Sequence, residues 1–208
     1  HSEEGTLTHF PDQRGLHGVQ LWTALPESTR HGERAFEHVA EVPSFTVDGA
    51  LVQVFMGTLG GATSPARADT PLVAAQLDIP AGTSVRLPVD PTFEHGVLLD
   101  SGELDVEGTA LEPAWLAYLA PGRAVIELRA GAQPVRAVLM GGTPFEEQIL
   151  MWWNFVGRTH EEVVAARAQW QDAIDGNPEA LARFGAVTGY DGPPLPAPQL
   201  PQVRSEER

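Results

Sequence analysis

The chain has 208 residues, 42% of them hydrophobic, and carries a formal net charge of −15, because 28 acidic residues face 13 basic ones. This length is enough for one large domain or for two small domains with their own cores. Such an acidic balance disfavours direct binding to nucleic acid or to anionic membranes, but it is compatible with a protein partner. The absence of cysteine excludes a disulfide scaffold and a thiolate site, and it suits the cytoplasm.

The first quarter of the chain contains one apolar run and one polar stretch. Residues 16–25 concentrate Leu, Val and Trp, and this pattern predicts a short buried strand. Residues 26–48 are polar and interrupted by proline, so we expect a connector there. The start, His-Ser-Glu-Glu, lacks a methionine and the features of a signal peptide, and we expect a processed chain or a fragment.

The central part of the chain alternates between strand-like runs and turns. Glycine (21 residues) and proline (18 residues) separate these runs at intervals of about one strand length. This spacing is typical of a β-sandwich or a small barrel, so the sequence predicts a mostly β fold. The predicted strand regions are 50–59, 71–89, 93–108, 114–122 and 124–142.

The pattern becomes helical near residue 159. Thr159 and Glu162 have the spacing of a capping box, which predicts that a helix begins there. Asp175-Gly176 is expected to end this helix, and Asn177-Pro178 is expected to start a shorter one that runs to Phe184. The remaining residues, 191–208, are rich in proline, and we expect an extended tail.

Four stretches together resemble the pirin family of double-cupin proteins. They are residues 1–3 (HSE), 16–22 (LHGVQLW), 141–170 (GGTPFEEQILMWWNFVGRTHEEVVAARAQW) and 182–201 (ARFGAVTGYDGPPLPAPQLP). The third stretch is the most specific, because its Trp pair, Asn-Phe-Val-Gly and capped helix follow one another in the family's order. The resemblance covers essentially the whole chain. It implies an all-β fold of two jelly-roll barrels in tandem, followed by a C-terminal helix.

The resemblance also implies a division of the chain into parts. Residues 1–48 would be the remainder of the N-terminal cupin plus the connector, and residues 49–157 would be the C-terminal cupin. Residues 158–190 would form a helical segment, and residues 191–208 the Pro-rich tail. The N-terminal barrel is therefore expected to be incomplete.

The family's metal is held by a His-x-His pair and a His-x-Glu pair in the first cupin. The second pair corresponds to His1 and Glu3, whereas the first would lie upstream of residue 1. In a strand, residues i and i+2 point to one face, so these two side chains can reach one ion. Imidazole and carboxylate suit Fe(II), with Mn, Co, Ni or Cu as alternatives. Two protein ligands are fewer than the usual three or four, which leaves open that His1 and Glu3 are solvated terminal residues.

Other histidines offer alternative ligands near the start. His9 lies in a polar loop, and His17 begins the predicted strand, so both are more typical of surface positions. A free N-terminal histidine can also bind copper through its amino group and ring, but this arrangement needs a second histidine, and the rest of the sequence speaks against it. The resemblance to pirins gives neither His9 nor His17 a role.

The C-terminal cupin lacks the residues of a typical cupin metal site. Counted from Gly82, the ligand positions of the metal-cupin pattern fall on Pro88, Asp90 and Glu94. Proline has no donor atom, and the neighbours Glu94 and His95 point to opposite faces of a strand. The sequence therefore predicts a second cupin without a metal.

Two further pairs invite a functional interpretation. Trp152-Trp153 could form a stacking platform, but large apolar residues that receive the helix are the more common arrangement. Glu146-Glu147 could serve in acid–base catalysis, but adjacent side chains diverge, so we expect a solvated turn.

The resemblance implies two functions between which the residues do not decide. Some pirin-like proteins open flavonols such as quercetin with dioxygen, and here Glu3 would ligate the metal or move a proton as a catalytic residue. Others act without catalysis, as iron-dependent regulators that bind a protein partner. We expect a flavonoid-like small molecule in the first case, a protein partner in the second, and a monomer in both.

Overall fold

The computed structural model describes residues 17–185 and 192–201. The chain divides into two compact units, of which one spans Leu25–Phe145 and the other combines His1–Ala24 with Glu146–Arg208. The first unit contains twelve strands among its described residues, and the second contains two strands and two helices. Each unit is described below by itself.

The strands of the first unit begin with an edge strand and continue through the region predicted to be β. In chain order they are β1 (Ser44–Val47), β2 (Ala50–Met56), β3 (Thr58–Leu59), β4 (Ala62–Thr63), β5 (Leu72–Ile79), β6 (Ser84–Pro88), β7 (Glu94–Ser101), β8 (Leu104–Val106), β9 (Thr109–Leu111), β10 (Leu116–Leu119), β11 (Val125–Ala130) and β12 (Val135–Gly142).

The twelve strands form two main antiparallel sheets and one small hairpin. The larger sheet has the order β1-β2-β5-β12-β7-β10, and the smaller has the order β6-β11-β8-β9. Strands β3 and β4 pair only with each other. Strand β12 lies between β5 and β7, so the last strand of this unit joins the two halves of its larger sheet.

The sequence of each strand explains which face it buries. In β11, Ile126 and Leu128 are buried, whereas Glu127 and Arg129 between them are exposed. Because successive side chains of a strand point to opposite faces, this alternation places apolar groups on one side only. Both sheets contribute such side chains to a single core, including Val52 and Leu77 from the larger sheet.

The second unit contains a hairpin followed by two helices. Strands β13 (Leu150–Trp152) and β14 (Phe155–Gly157) pair with each other, and α1 (His160–Ile174) packs against both of them. Thr159 caps α1, because its hydroxyl accepts a hydrogen bond from the backbone N–H of Glu162. Helix α2 (Pro178–Phe184) follows after Asn177, whose side chain caps it.

The structure confirms the predicted all-β class with C-terminal helices, and both predicted helix caps. The buried strand predicted over residues 16–25 is wrong for the described part, because residues 17–25 adopt no regular structure and are mostly exposed. A strand needs a partner for its backbone groups, and no described strand pairs with these residues. Residues 44–47, expected in the connector, instead form β1 on β2.

None of the helices in the described part of the chain combines the length and the apolar character that crossing a bilayer requires.

Candidate functional site

The residues predicted to bind a metal, His1 and Glu3, lie outside the described residues, and so does His9. The catalytic role expected for Glu3 therefore stays a prediction. His17 is described, and it lies exposed in the irregular segment that precedes the first unit.

The structure draws attention to a second His-x-Glu sequence, which our interpretation of the sequence did not consider. His31 and Glu33 are both exposed and lie at a turn rather than in a strand. The Nε2 atom of His31 is 3.8 Å from a carboxylate oxygen of Glu27. Because the argument for convergence of residues i and i+2 holds for strands, it does not extend to this pair.

Of the three ligand positions predicted for the second cupin, two carry side chains that have other hydrogen-bond partners. Pro88 ends β6, and Asp90 accepts hydrogen bonds from the Thr92 N–H (2.8 Å) and the Thr92 hydroxyl (2.6 Å). These bonds hold the pKa of Asp90 below its ordinary value. The carboxylate of Glu94 accepts a hydrogen bond from the Tyr118 hydroxyl at 3.0 Å, which raises the pKa of Tyr118.

Among the described residues, the buried polar side chains are Ser64 and His95. The Ser64 hydroxyl is fully used, because it donates to the Phe55 carbonyl (2.9 Å) and accepts from the Ala66 N–H (3.1 Å). His95 is only 2% exposed, yet its Nε2 atom has no hydrogen-bond partner. An unpartnered polar atom in a core is costly, so this histidine is an unusual polar group in the first unit.

His95 belongs to the interior row of β7, together with Val97 and Leu99. Its partner on β12 is Gly141, and its ring centroid lies 6.2 Å from that of Phe93. Burial lowers the pKa of His95, and the negative charge of Asp90 opposes this effect only in part. The imidazole is therefore neutral near pH 7, and it offers one nitrogen atom as a hydrogen-bond donor or acceptor.

A lone imidazole is not a metal centre. The described ranges, 17–185 and 192–201, contain no group of three or more His, Asp or Glu side chains that could hold an ion. The sequence did contain the signal for the burial of His95, because its spacing to Val97 and Leu99 has the period of two that marks one strand face. Its unpartnered nitrogen depends on the neighbouring strands and could not be predicted.

The two side-chain pairs of the second unit have structural roles. Trp152 and Trp153 are half-buried and contact Phe155, at centroid distances of 6.4 and 5.3 Å, on the hairpin against which α1 packs. Glu147 does not simply face solvent, because its carboxylate accepts two hydrogen bonds from the Arg158 guanidinium, at 2.8 and 2.9 Å. Glu146 is exposed, as expected for a turn.

Comparison with known proteins places this geometry in a family. Residues 74–175 match the model of the pirin C-terminal cupin domain. The chain belongs to the pirin family. The resemblance that the four sequence stretches predict is thereby confirmed.

Individual pirin-type relatives align with most of the chain. A protein of Pseudomonas aeruginosa, provisionally named a quercetin 2,3-dioxygenase, is 37% identical over 97% of this chain and 60% of its own length. A pirin-like protein of Caulobacter vibrioides is 28% identical over 79% of this chain and 59% of its own. The crystal structure of a quercetin 2,3-dioxygenase from Acinetobacter baumannii superimposes with a TM-score of 0.80 and 35% identity, covering 89% of this chain and 59% of that one. The chain thus spans about three fifths of the length of these relatives.

Proposed function

We propose that this pirin-family chain is part of a metal-binding cupin protein that acts as an oxidoreductase of the quercetin 2,3-dioxygenase type. The observation that carries the proposal is the 37% identity, over 97% of the chain, to the Pseudomonas aeruginosa relative of that name. The structural similarity to the Acinetobacter baumannii quercetin 2,3-dioxygenase supports the same assignment. The proposed substrate is a flavonoid-like small molecule, and the proposed setting is a monomer in the cytoplasm.

The proposed metal ligands are His1 and Glu3. An imidazole and a carboxylate two residues apart suit Fe(II) or a related divalent ion, Mn, Co, Ni or Cu. Such an ion, when bound, acts as a Lewis acid toward an oxygen atom of the substrate. Glu3 would ligate the ion or move a proton from the substrate hydroxyl, which is the role of a general base. Two ligands make a weak site by themselves, so the proposal requires further donors beside His1 and Glu3.

The proposed division of labour follows the domain boundaries expected from the sequence. Residues 1–48 would contribute to the metal-binding cupin, and residues 49–157 would form a second cupin that holds no metal. A structural role for the second cupin is consistent with the hydrogen bonds that the carboxylates of Asp90 and Glu94 accept from Thr92 and Tyr118. Residues 158–190 and 191–208 would be the helical segment and the tail.

Iron retention by the 208-residue chain tests the proposed ligands. The chain is loaded anaerobically with Fe(II), desalted and analysed for bound iron. We expect the H1A/E3A variant to retain at least about tenfold less iron than the original chain, since it has lost both donors. The H31A/E33A variant is the matched control, because it removes the same residue types at the same spacing from an exposed turn. Iron that is retained in equal, measurable amounts by the chain and by H1A/E3A would overturn the assignment of the ligands.

Oxygen consumption tests the proposed reaction. The iron-loaded chain is mixed with quercetin in an oxygen electrode, with H1A/E3A and iron-free chain as references. Saturable oxygen uptake that requires iron, quercetin and the His1–Glu3 pair supports the dioxygenase proposal. If the iron-retaining chain consumes no more oxygen than H1A/E3A does, the dioxygenase proposal is contradicted.

A second candidate function is that of an iron-dependent regulator without catalytic activity. One observation favours it: the edge strand β10 and the residue before it expose Trp115, Leu116 and Tyr118, with exposed fractions of 60%, 53% and 65%. Exposed aromatic side chains are typical of protein contact surfaces. Retained iron without any oxygen uptake, together with a partner affinity that changes with iron, would favour the regulator.

A further inference from the structure

The Pro-rich tail is bound along helix α1 through its backbone. The indole Nε1–H of Trp170 donates to the Leu195 carbonyl at 2.8 Å, and the guanidinium Nε–H of Arg167 donates to the Pro198 carbonyl at 2.6 Å. The side-chain carbonyl of Gln171 accepts a hydrogen bond from the Ala197 N–H at 2.8 Å. Carbonyl groups and one N–H group of this tail segment are therefore bound by side chains of a single helix.

The three helix residues form a single surface, which we call the tail-binding face: Arg167, Trp170 and Gln171. Because they occupy positions i, i+3 and i+4, their side chains project from the same side of α1. Trp170 is also fixed from the other side, since the ring of Phe184 in α2 meets it edge-on at a centroid distance of 5.1 Å. This edge-on contact restricts the orientation of the indole ring that carries the N–H group.

The tail-binding face contacts the backbone of the proline-rich segment. Four hydrogen bonds join α1 side chains to backbone atoms of residues 195–198, whose Leu, Pro and Ala side chains carry no hydrogen-bonding group. Proline-rich segments favour the extended polyproline II conformation, in which the carbonyl groups have no internal partners and remain free to accept hydrogen bonds. Only Ala197 is buried, at 7% exposed, whereas Leu195 is 66% exposed. The face therefore requires an extended segment with a small residue at the position of Ala197.

We propose that the tail-binding face is a docking site for a proline-rich extended segment of a partner protein, and that the chain's own tail is its resident ligand. The composition of the tail identifies the chemistry of the partner: residues 192–201 contain five prolines and no charged residue. A neutral segment also avoids repulsion by a chain of net charge −15. Recognition of this kind, in which an aromatic N–H and neighbouring polar groups bind a polyproline II backbone, is a general mode of peptide binding.

The resident tail and a partner segment would compete for the same face. A tethered ligand has an effective concentration in the millimolar range, so the tail hinders a free peptide even when its own affinity is low. The hydrogen bonds that Trp170 and the Arg167 Nε atom donate to the tail are exposed to solvent. Water can therefore replace them when the tail leaves the face. This competition provides the test, because release of the tail must increase binding in trans.

The test uses the full chain and a fluorescent peptide with the sequence of residues 192–201. Ala197→Arg releases the tail, because a long charged side chain does not fit where Ala197 is buried, while the face itself stays intact. We expect A197R to bind the peptide at least about tenfold more tightly than the original chain in fluorescence anisotropy. The double variant A197R/W170F keeps an aromatic ring but lacks the indole N–H, and it should bind the peptide at least about tenfold more weakly than A197R does.

Two comparisons make the result decisive. Ala165→Arg places the same residue at an exposed position of α1 and should bind the peptide no better than the original chain. Equal peptide binding by A197R and the original chain would overturn the proposal. Concentration-dependent dimerisation of the original chain, abolished by A197R, would instead assign the face to the tail of a second copy and overturn the assignment to a partner.

Discussion

His95 and Gly141 lie opposite each other on the adjacent strands β7 and β12, and the imidazole occupies the space that a side chain at position 141 would need. A Cβ atom at Gly141 would lie 2.8 Å from the His95 Cδ2 atom and 2.5 Å from the Glu94 carbonyl oxygen. The second contact involves backbone, which cannot rotate away. The buried histidine and the glycine therefore depend on each other.

Gly141→Ala is expected to destabilise the first unit. Insertion of one methyl group into this contact should lower the free energy of unfolding by about 1–3 kcal/mol, because the two strands must separate to admit it. Urea-induced unfolding followed by far-UV circular dichroism measures the change. Gly18→Ala is the control, since nothing lies within 4 Å of its added Cβ atom. Equal stability of the two variants would show that the contact at Gly141 relaxes without cost.

Stability should fall on mild acidification because of His95. The pKa of His95 is lowered in the folded state, so between its unfolded value near 6.5 and its folded value the unfolded chain binds more protons. The stabilisation is thus fully present above about pH 6.5 and is lost as the pH falls through this window. His95→Gln should reduce the slope of stability against pH by at most about 1.4 kcal/mol per pH unit.

A pH series of urea titrations between pH 7.5 and 5 tests this expectation. Its matched control is His38→Gln, which removes an exposed histidine of the same unit. If H95Q and the original chain show the same pH dependence, then burial of the imidazole does not govern the acid sensitivity.

The Glu147–Arg158 ion pair is expected to stabilise the second unit. The two side chains are 34% and 15% exposed, so solvent screens their attraction only in part. Glu147→Gln should cost about 1 kcal/mol, since it leaves a largely covered guanidinium with a weaker acceptor. Thermal unfolding at low and at 1 M salt measures this effect. Glu146→Gln changes the exposed neighbour and should have almost none; similar losses in both variants would argue against the ion pair.

The hydroxyl of Thr159 should be needed for the start of α1. Thr159→Ala removes the acceptor of the Glu162 N–H, which lies 3.2 Å away, and should cost about 0.5–2 kcal/mol. Thr159→Ser keeps the oxygen atom and should retain most of the stability. The difference between the two variants in helix signal and unfolding midpoint measures the cap, and its absence would assign the start of α1 to packing alone.

Local features of the sequence predicted the parts of the structure that depend on short-range patterns. The strand region predicted over residues 124–142 contains β11 and β12, and Thr159 with Glu162 was enough to predict the start of α1. The strand expected over 16–25 failed because a strand requires a partner, which composition does not reveal. Glu147 was expected to be solvated. Its partner, Arg158, lies 11 residues away on the other side of a hairpin, so the sequence around Glu147 does not indicate the ion pair.

The candidate site shows the same limit. Burial of His95 follows from its period-two spacing to Val97, but its contact with Gly141 involves residues 46 positions apart in the sequence. The backbone bonds between Trp170 and the tail likewise join residues 25 positions apart, so neither feature could be inferred from neighbouring residues.

The central position of β12 determines when the first unit can fold. The strands on either side of it, β5 and β7, are synthesised earlier, yet they are joined to each other only through β12. A nascent chain therefore exposes two separate apolar half-sheets until residue 142 has left the ribosome. Pairing of such distant strands is slow, and the waiting edges are open to association with other chains. Chaperone demand during synthesis should thus peak late, just before β12 emerges.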